Sequence, residues 1–497
     1  MAETMANEPK ISIKVIVDKE KNRVLYAEAD YTFVDILFSF MTLPMGAIVR
    51  LLGEQADKKF EALGSLNNLY YSLVDLPECY FITEECRLML LNPRSPSYDR
   101  STELKLKTDD TAPTKYFVCK DYTCTFSLFK FSTCNTSRCS KCGKFMDQEI
   151  HFKNITHSAD ADCVGCGVFV SDITTFIVTD DLRVMPHTPG CCIQSLIDLG
   201  VTDTSHLEER TVELGREQIL NLLRLSLQFS SPLTHLVGLK TPPSQVLESC
   251  EQGKFDQYTS LKKEDSESSK MVLQVSLQKS TGKLLFAEAE EDFVDFVFGF
   301  LAISIGTAVG TLMNGNSPLL CMDNIYRSIS DMSIETCLKS QDVKDILLKP
   351  HFGQPYSSKN QIFPINGTIF PKMGLSFYES DDNCYRMWYD NYIFTYKDDI
   401  DRGYTFNDPR IGGEFFKRSK MFMVTDDLLI TSSLSISTMD ILIKWKVPLK
   451  DIERHTVTIG LEEGLKMLKA SLKSKSTLTK GLENQLKNLN QTVDVGS

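Results

Sequence analysis

The chain repeats itself over a length that only whole domains can explain. Residues 11–52 align without a gap onto residues 271–312. VLYAEADYTFVDILFSF is answered by LLFAEAEEDFVDFVFGF, with Ala27, Glu28, Ala29, Phe33, Val34, Asp35, Phe38 and Phe40 each finding an identical residue. Asn68-Leu69-Tyr70 returns as Asn324-Ile325-Tyr326, and Leu90-Leu91-Asn92-Pro93 as Leu347-Leu348-Lys349-Pro350. FIVTDDL at Phe176–Leu182 becomes FMVTDDL at Phe422–Leu428, and Thr211-Val212 with Gly215 becomes Thr456-Val457 with Gly460. The order of matches is kept throughout, and the unit is far longer than a solenoid repeat. The expectation is two tandem homologous α+β domains packed about a pseudo-twofold axis. The first copy spans 1–262 and the second 271–497. Between them, 263–270 is charged, Ser-rich and without apolar anchors, and so reads as a solvated, mobile linker.

Each copy opens with the same local pattern. Ile11–Val17 and Arg23–Ala29 alternate apolar and polar residues around a polar turn, the mark of a β-hairpin. Val272–Leu277 and Lys283–Ala289 do the same around Ser280-Thr281-Gly282. A helix follows from about Thr32, capped by Asp30 or Thr32, with Phe33, Ile36, Leu37 and Phe40 at helical spacing. Pro44 suits the first turn of a second short helix. The matching stretch of the second copy, Phe296–Met313, carries no charge over 18 residues. That is near the length of a membrane span. Its counterpart contains Asp35, Pro44 and Arg50, and it lacks flanking aromatics, so a helix buried in a protein core is the expectation. Beyond a long loop at Asn92–Thr114, strands are expected within Tyr116–Lys130 and Val168–Thr179. The VTDDL element reads as strand–turn–strand. The terminal helices are expected at Glu217–Leu227 and along Leu461, Leu465, Leu468 and Leu472.

Only the first copy carries chemistry of a recognisable kind. Cys139-Ser-Lys-Cys142-Gly143 and Cys163-Val-Gly-Cys166-Gly167 are two Cys-x-x-Cys-Gly knuckles, 20 residues apart, the spacing of a Cys₄ zinc ribbon. Four thiolates close a tetrahedral site and leave no position for substrate or water, which points to a structural metal. The ligand set expected is Cys139, Cys142, Cys163 and Cys166, in a lobe at about 115–180. Redox pairs and an iron–sulfur cluster are the competing uses, and Cys124, Cys134, His151 and His157 are substitute ligands within reach in sequence. The second copy has no cysteine between Tyr385 and Phe422. One Zn²⁺ per chain is therefore expected. Cys79, Cys86, Cys119, Cys250, Cys321, Cys337, Cys384 and the Cys191-Cys192 pair read as small buried apolar residues.

Other chemistry is absent from the sequence. There is no Gly-x-Ser-x-Gly elbow, convincing Cys/His pair, phosphate loop or dinucleotide fingerprint. The repeated Asp180-Asp181 and Asp426-Asp427 pairs read as turn residues. Asp35 and Asp295, inside apolar helices, need partners, and Glu28 and Glu288 are their expected neighbours. A net charge of −12 argues against a nucleic-acid surface. The lobe itself, with seven Lys/Arg and five Asp/Glu from Lys115 to Val170, is too nearly balanced to reverse that. The opening MAETMANEPK lacks the apolar segment of a secretory signal, and fifteen cysteines in a long chain suit a reduced compartment.

The AEA-x-x-x-FVD signature, the LLNP/LLKP element, the knuckle pair and VTDDL, in this order, resemble the plant family called domain of unknown function 674, whose members are often tandem copies. The resemblance covers nearly the whole chain. It implies a plant protein within the cell and no family-wide reaction. The family's Cys pairs map onto Cys139, Cys142, Cys163 and Cys166, and the cysteine-free second copy departs from that pattern. The function expected is a non-catalytic, zinc-stabilised interaction or regulatory protein of the cytoplasm or nucleus, with a protein partner and no membrane span. The alternative is an enzyme or small-molecule binder using a cleft between the copies. A nucleic-acid-associated zinc ribbon comes third.

Overall fold

A computed structural model of the chain describes residues 9–494 apart from 55–62, 96–97, 112–114, 122, 126–129, 151–166, 172–174, 189, 240–269, 335, 351, 354–357, 366, 369–377, 381–383, 390–391, 397–404, 409, 411–412, 419, 433–441 and 444. Cys163, Cys166, Cys250, His151, His157 and nearly all of the expected linker lie outside the described residues.

Alternation fixes the first hairpin. In β1 (Ile11–Asp18) every second residue from Ile11 to Val17 is buried, and β1 pairs antiparallel with β2 (Arg23–Ala29). The chain then leaves the sheet for a lobe holding β3 (Tyr116–Val118), β4 (Lys130–Phe131) and β5 (Gln148–Ile150). It returns as β6 (Phe176–Thr179), β7 (Val184–Pro186) and β8 (Leu207–Leu214), giving an antiparallel sheet of order β7-β6-β2-β1-β8. The second half builds β9 (Met271–Gln278) and β10 (Lys283–Ala289). Shorter pieces follow: β11 (Phe352–Gly353) beside β12 (Gly367–Thr368), the antiparallel set β13 (Tyr378–Ser380), β14 (Cys384–Tyr389) and β15 (Tyr392–Tyr396), and β16 (Thr405–Phe406). Finally β17 (Phe422–Val424), β18 (Ile430–Ser432) and β19 (Ile452–Ile459) complete a second sheet of order β18-β17-β10-β9-β19. The two orders correspond strand for strand, and one apolar core runs through both sheets. The mixture of helix and antiparallel sheet is α+β.

Helices follow the hairpins as the spacing predicts. Asp30 caps Tyr31–Ser39 by accepting from the amides of Thr32 (3.1 Å) and Phe33 (3.3 Å), an N-cap that satisfies donors the helix leaves open. The apolar run of the second half is not one helix. It breaks into a helix at Glu291–Phe298, a 3-10 turn at Gly299–Ala302, extended backbone at Ile303 and a π-helical turn at Thr307–Leu312, nearly all of it buried. No helix among the described residues is long and apolar enough to cross a membrane.

The break lets the halves cross. Pro44 and Ser304 form an antiparallel bridge, with Met45 N donating to Ile303 O (2.9 Å) and Ile305 N donating to Leu43 O (3.1 Å). Backbones meet this closely because Gly46 and Gly306 lack side chains. A Cβ on Gly306 would lie 2.8 Å from Met41 O, and one on Gly46 would lie 3.0 Å from Leu301 O.

Each half also covers the other's turn. Asn68 and Ser72, on the helix Leu66–Asp75, reach the β17–β18 turn: Asn68 Nδ2 donates to Asp427 O (3.1 Å), and Ile430 N donates to Ser72 Oγ (2.9 Å). Asn324 and Ser328, on the helix Leu320–Asp331, reach the β6–β7 turn: Asn324 Nδ2 donates to Asp181 O (2.9 Å), and Val184 N donates to Ser328 Oγ (2.9 Å). The halves are interleaved.

Candidate metal centre

Two tight turns bring four cysteines of the first half together. The first turn is built by Asp121, whose carboxylate accepts from Thr123 N (3.0 Å) and Thr123 Oγ1 (2.6 Å), while its carbonyl accepts from Cys124 N (3.0 Å) and Thr125 N (3.1 Å). Thr125 Oγ1 closes it on Cys119 O at 2.7 Å. Such an Asx-type turn places Cys119 and Cys124 on one side. The second turn is the predicted knuckle. Cys139 N donates to Lys144 O (2.8 Å) and Gly143 N to Cys139 O (2.9 Å). Gly143 has φ +71°, a left-handed conformation that glycine adopts without a Cβ penalty.

The sulfurs of Cys119, Cys124, Cys139 and Cys142 all lie within 4.8 Å of one another, with Cys119 Sγ 3.5 Å from Cys142 Sγ. Zn–S bonds of about 2.3 Å in a tetrahedron put sulfurs about 3.8 Å apart, so the donor set fits a tetrahedral cation. All four are free thiols. Cys119, Cys124 and Cys139 are buried, whereas Cys142 faces solvent. Burial pushes the Cys119 thiol up to about 12, and burial with the neighbouring Cys142 and Cys139 thiols raises Cys124 as well. Cys142 is drawn down to about 7, chiefly because the Lys144 amide donates to it. One thiolate therefore forms readily, and a bound cation would supply the charge that deprotonates the rest.

The lobe's strands bury Phe117, Val118 and Phe131. Beside them, Cys119, Cys124, Cys139 and Met146 form a small buried cluster of their own, separate from the main core. Of the expected ligands, the structure brings Cys139 and Cys142 together, and Cys163 and Cys166 lie outside the described residues. Cys124, read as a substitute, stands in the cluster. Cys119, read as a small apolar residue, stands there too. The spacing Cys119-x₄-Cys124 is longer than a knuckle, and Asp121 with Thr123 between them was the available signal.

Among the described residues Asp35 and Asp295 have structural partners, and Glu28 and Glu288 are not among these. Asp35 accepts from the amides of Val168, Phe169 (2.8 Å) and Val170 (2.9 Å), binding the chain's return from the lobe to the first helix. Gly167 is required by this approach, since a Cβ would lie 2.4 Å from Val170 O and 3.0 Å from Asp35 Oδ2. Asp295 accepts from Phe415 N (3.0 Å), Phe416 N (3.2 Å) and Ser358 Oγ (2.8 Å). Burial pushes Asp35 up to about 6 and Asp295 up to about 7. The Asp pairs divide their work. Asp181 and Asp427 accept from Thr179 and Thr425 in the turns, whereas Asp180 and Asp426 accept from the amides and hydroxyls of Thr234 and Thr479. One Cys/His contact escaped the sequence reading: His187 Nε2 lies 3.1 Å from Cys192 Sγ.

Comparison with known proteins returns a single kind of match. A family model described as protein of unknown function (DUF674) matches residues 7–462. No curated protein and no solved structure matches the chain.

Proposed function

Given that the chain belongs to the DUF674 family, we propose that it is a non-catalytic interaction protein of the cell interior whose first-half lobe folds around one structural Zn²⁺. Cys119, Cys124, Cys139 and Cys142 would hold the ion, each as a thiolate, and its role there is to cross-link two turns. The observation that carries this reading is the cluster of four sulfurs within 4.8 Å of one another, three of them on buried residues. Ordering two turns around these sulfurs costs conformational entropy, which a shared metal would offset. Structural zinc contributes about 10–16 kcal/mol in small finger peptides, which is ample.

The corresponding strand orders support two homologous halves in tandem, 1–262 and 271–497, of which the first carries the clustered cysteines. Apolar side chains left in solvent support a protein partner. Ile193 and Ile197 share one face of the helix Cys191–Asp198 at 65% and 59% exposure, and the second half exposes Ile443 and Leu449. Elemental analysis of the purified chain is the test. About one zinc per chain is expected, and Cys119→Ser should lose it while Cys163→Ser keeps it. Metal lost from Cys163→Ser and kept by Cys119→Ser would return the site to the knuckle pair. No metal in either the parent or reconstituted chain would end the reading.

A further inference from the structure

We propose that the thiolate site is a clasp: a bound divalent cation shapes the lobe into a docking surface for one segment of the chain's own second half, Thr405–Asn407. This rests on the metal reading above. The docking itself is explicit. β16 runs parallel to β4, with Thr405 opposite Lys130 and Phe406 opposite Phe131. Asn407 N donates to Phe131 O at 2.7 Å, and Asn407 Nδ2 donates to Arg138 O at 3.1 Å. Arg138 immediately precedes the ligand Cys139. Its carbonyl is held outward by the knuckle, because Arg138 bridges Phe145 across the turn and its guanidinium donates to Gly143 O at 3.1 Å. Ser132 joins the two docking carbonyls: it pairs with Phe117 at 2.8 Å in both directions and donates from Oγ to Ser137 Oγ at 2.7 Å. Fixing Cys119 and Cys139 to one ion therefore fixes the strand pair Phe117–Ser132 and the turn Ser137–Cys139 relative to each other.

From Asn407 the contact continues into the second half's core. Arg410 is buried, grips Asp408 through two bonds of 2.8 Å and lies 4.8 Å over the Phe415 ring. Glu414 is paired with Lys359 and Arg418. Phe415 and Phe416 then deliver their amides to Asp295, while Phe415 O accepts from Ile82 N (2.9 Å) and Phe416 bridges Phe81. These contacts link Asn407 to the Asp295 cradle, so loss of the ion should release Thr405–Asn407 and loosen Arg410 and Glu414, with both five-stranded sheets left intact.

Hydrogen exchange on the full chain, zinc-loaded and after chelation, tests this, with metal content measured in both samples. Stripping zinc should speed exchange at the Asn407 amide about tenfold or more, and leave β1 and β9 unchanged. By reciprocity, Asn407→Ala should weaken zinc retention about tenfold in a chelator competition. Zinc bound and removed with no change at Asn407 overturns the clasp and leaves the metal site standing. Exchange rising equally in β1 and β9 also overturns it, since the ion would then hold the whole fold. A chain that takes up no zinc defeats the metal reading and the clasp together.

Discussion

Asp35 and Asp295 occupy the same place in two helices, and each carboxyl is enclosed by backbone amides of a returning segment. Desolvation outweighs those donors and raises both acids, to about 6 and about 7, above the ordinary value near 4. The folded chain thus holds protons that the unfolded chain has released. Their contribution to stability is complete below about pH 4 and is lost as pH rises through 6 and 7. Urea midpoints should accordingly fall between pH 5.5 and pH 7.5, and Asp295→Asn should flatten that slope. A midpoint that climbs over this interval would show that the amide donors win. Sequence alone exposed the anomaly of an acid in an apolar helix but not its solution. The amide partners lie more than a hundred residues away, and nothing in Val168–Val170 or Phe415–Phe416 marks a backbone donor.

At the scale of elements, the hairpins, their following helices and the VTDDL turns were legible because burial alternates or recurs with the right period. The apolar run after Phe296 was not, since periodicity cannot see where a backbone must stop to let another pass. Gly306 marks the place. Alanine there would push a methyl against Met41 O, Leu347 O and Pro350 at under 3 Å, and such overpacking costs typically 1–3 kcal/mol. Gly306→Ala should lower the denaturation midpoint by that amount with the urea slope unchanged. Wild-type stability would show that the crossing yields. The Cys cluster was half legible for a related reason: the Cys139–Gly143 knuckle is a local motif, whereas Cys119 and Cys124 are brought in by an Asp-Thr turn that looks like ordinary loop.

For the whole molecule, interleaving predicts that the covalent connection between halves is dispensable. The bridge at Pro44–Ser304, the two helix-to-turn contacts and the Phe81–Phe416 and Val170–Leu338 pairings all join residues of different halves. A chain cut at a protease site placed between residues 262 and 270 should elute from gel filtration as one particle of unchanged size. Two separate peaks would mean that these contacts cannot hold the halves.

The exchange of helices also sets a schedule for synthesis. While the ribosome is still making residue 300, the Val184 amide and Asp181 carbonyl have no Ser328 or Asn324 to meet. The β6–β7 turn must wait, uncovered, for a helix translated more than a hundred codons later.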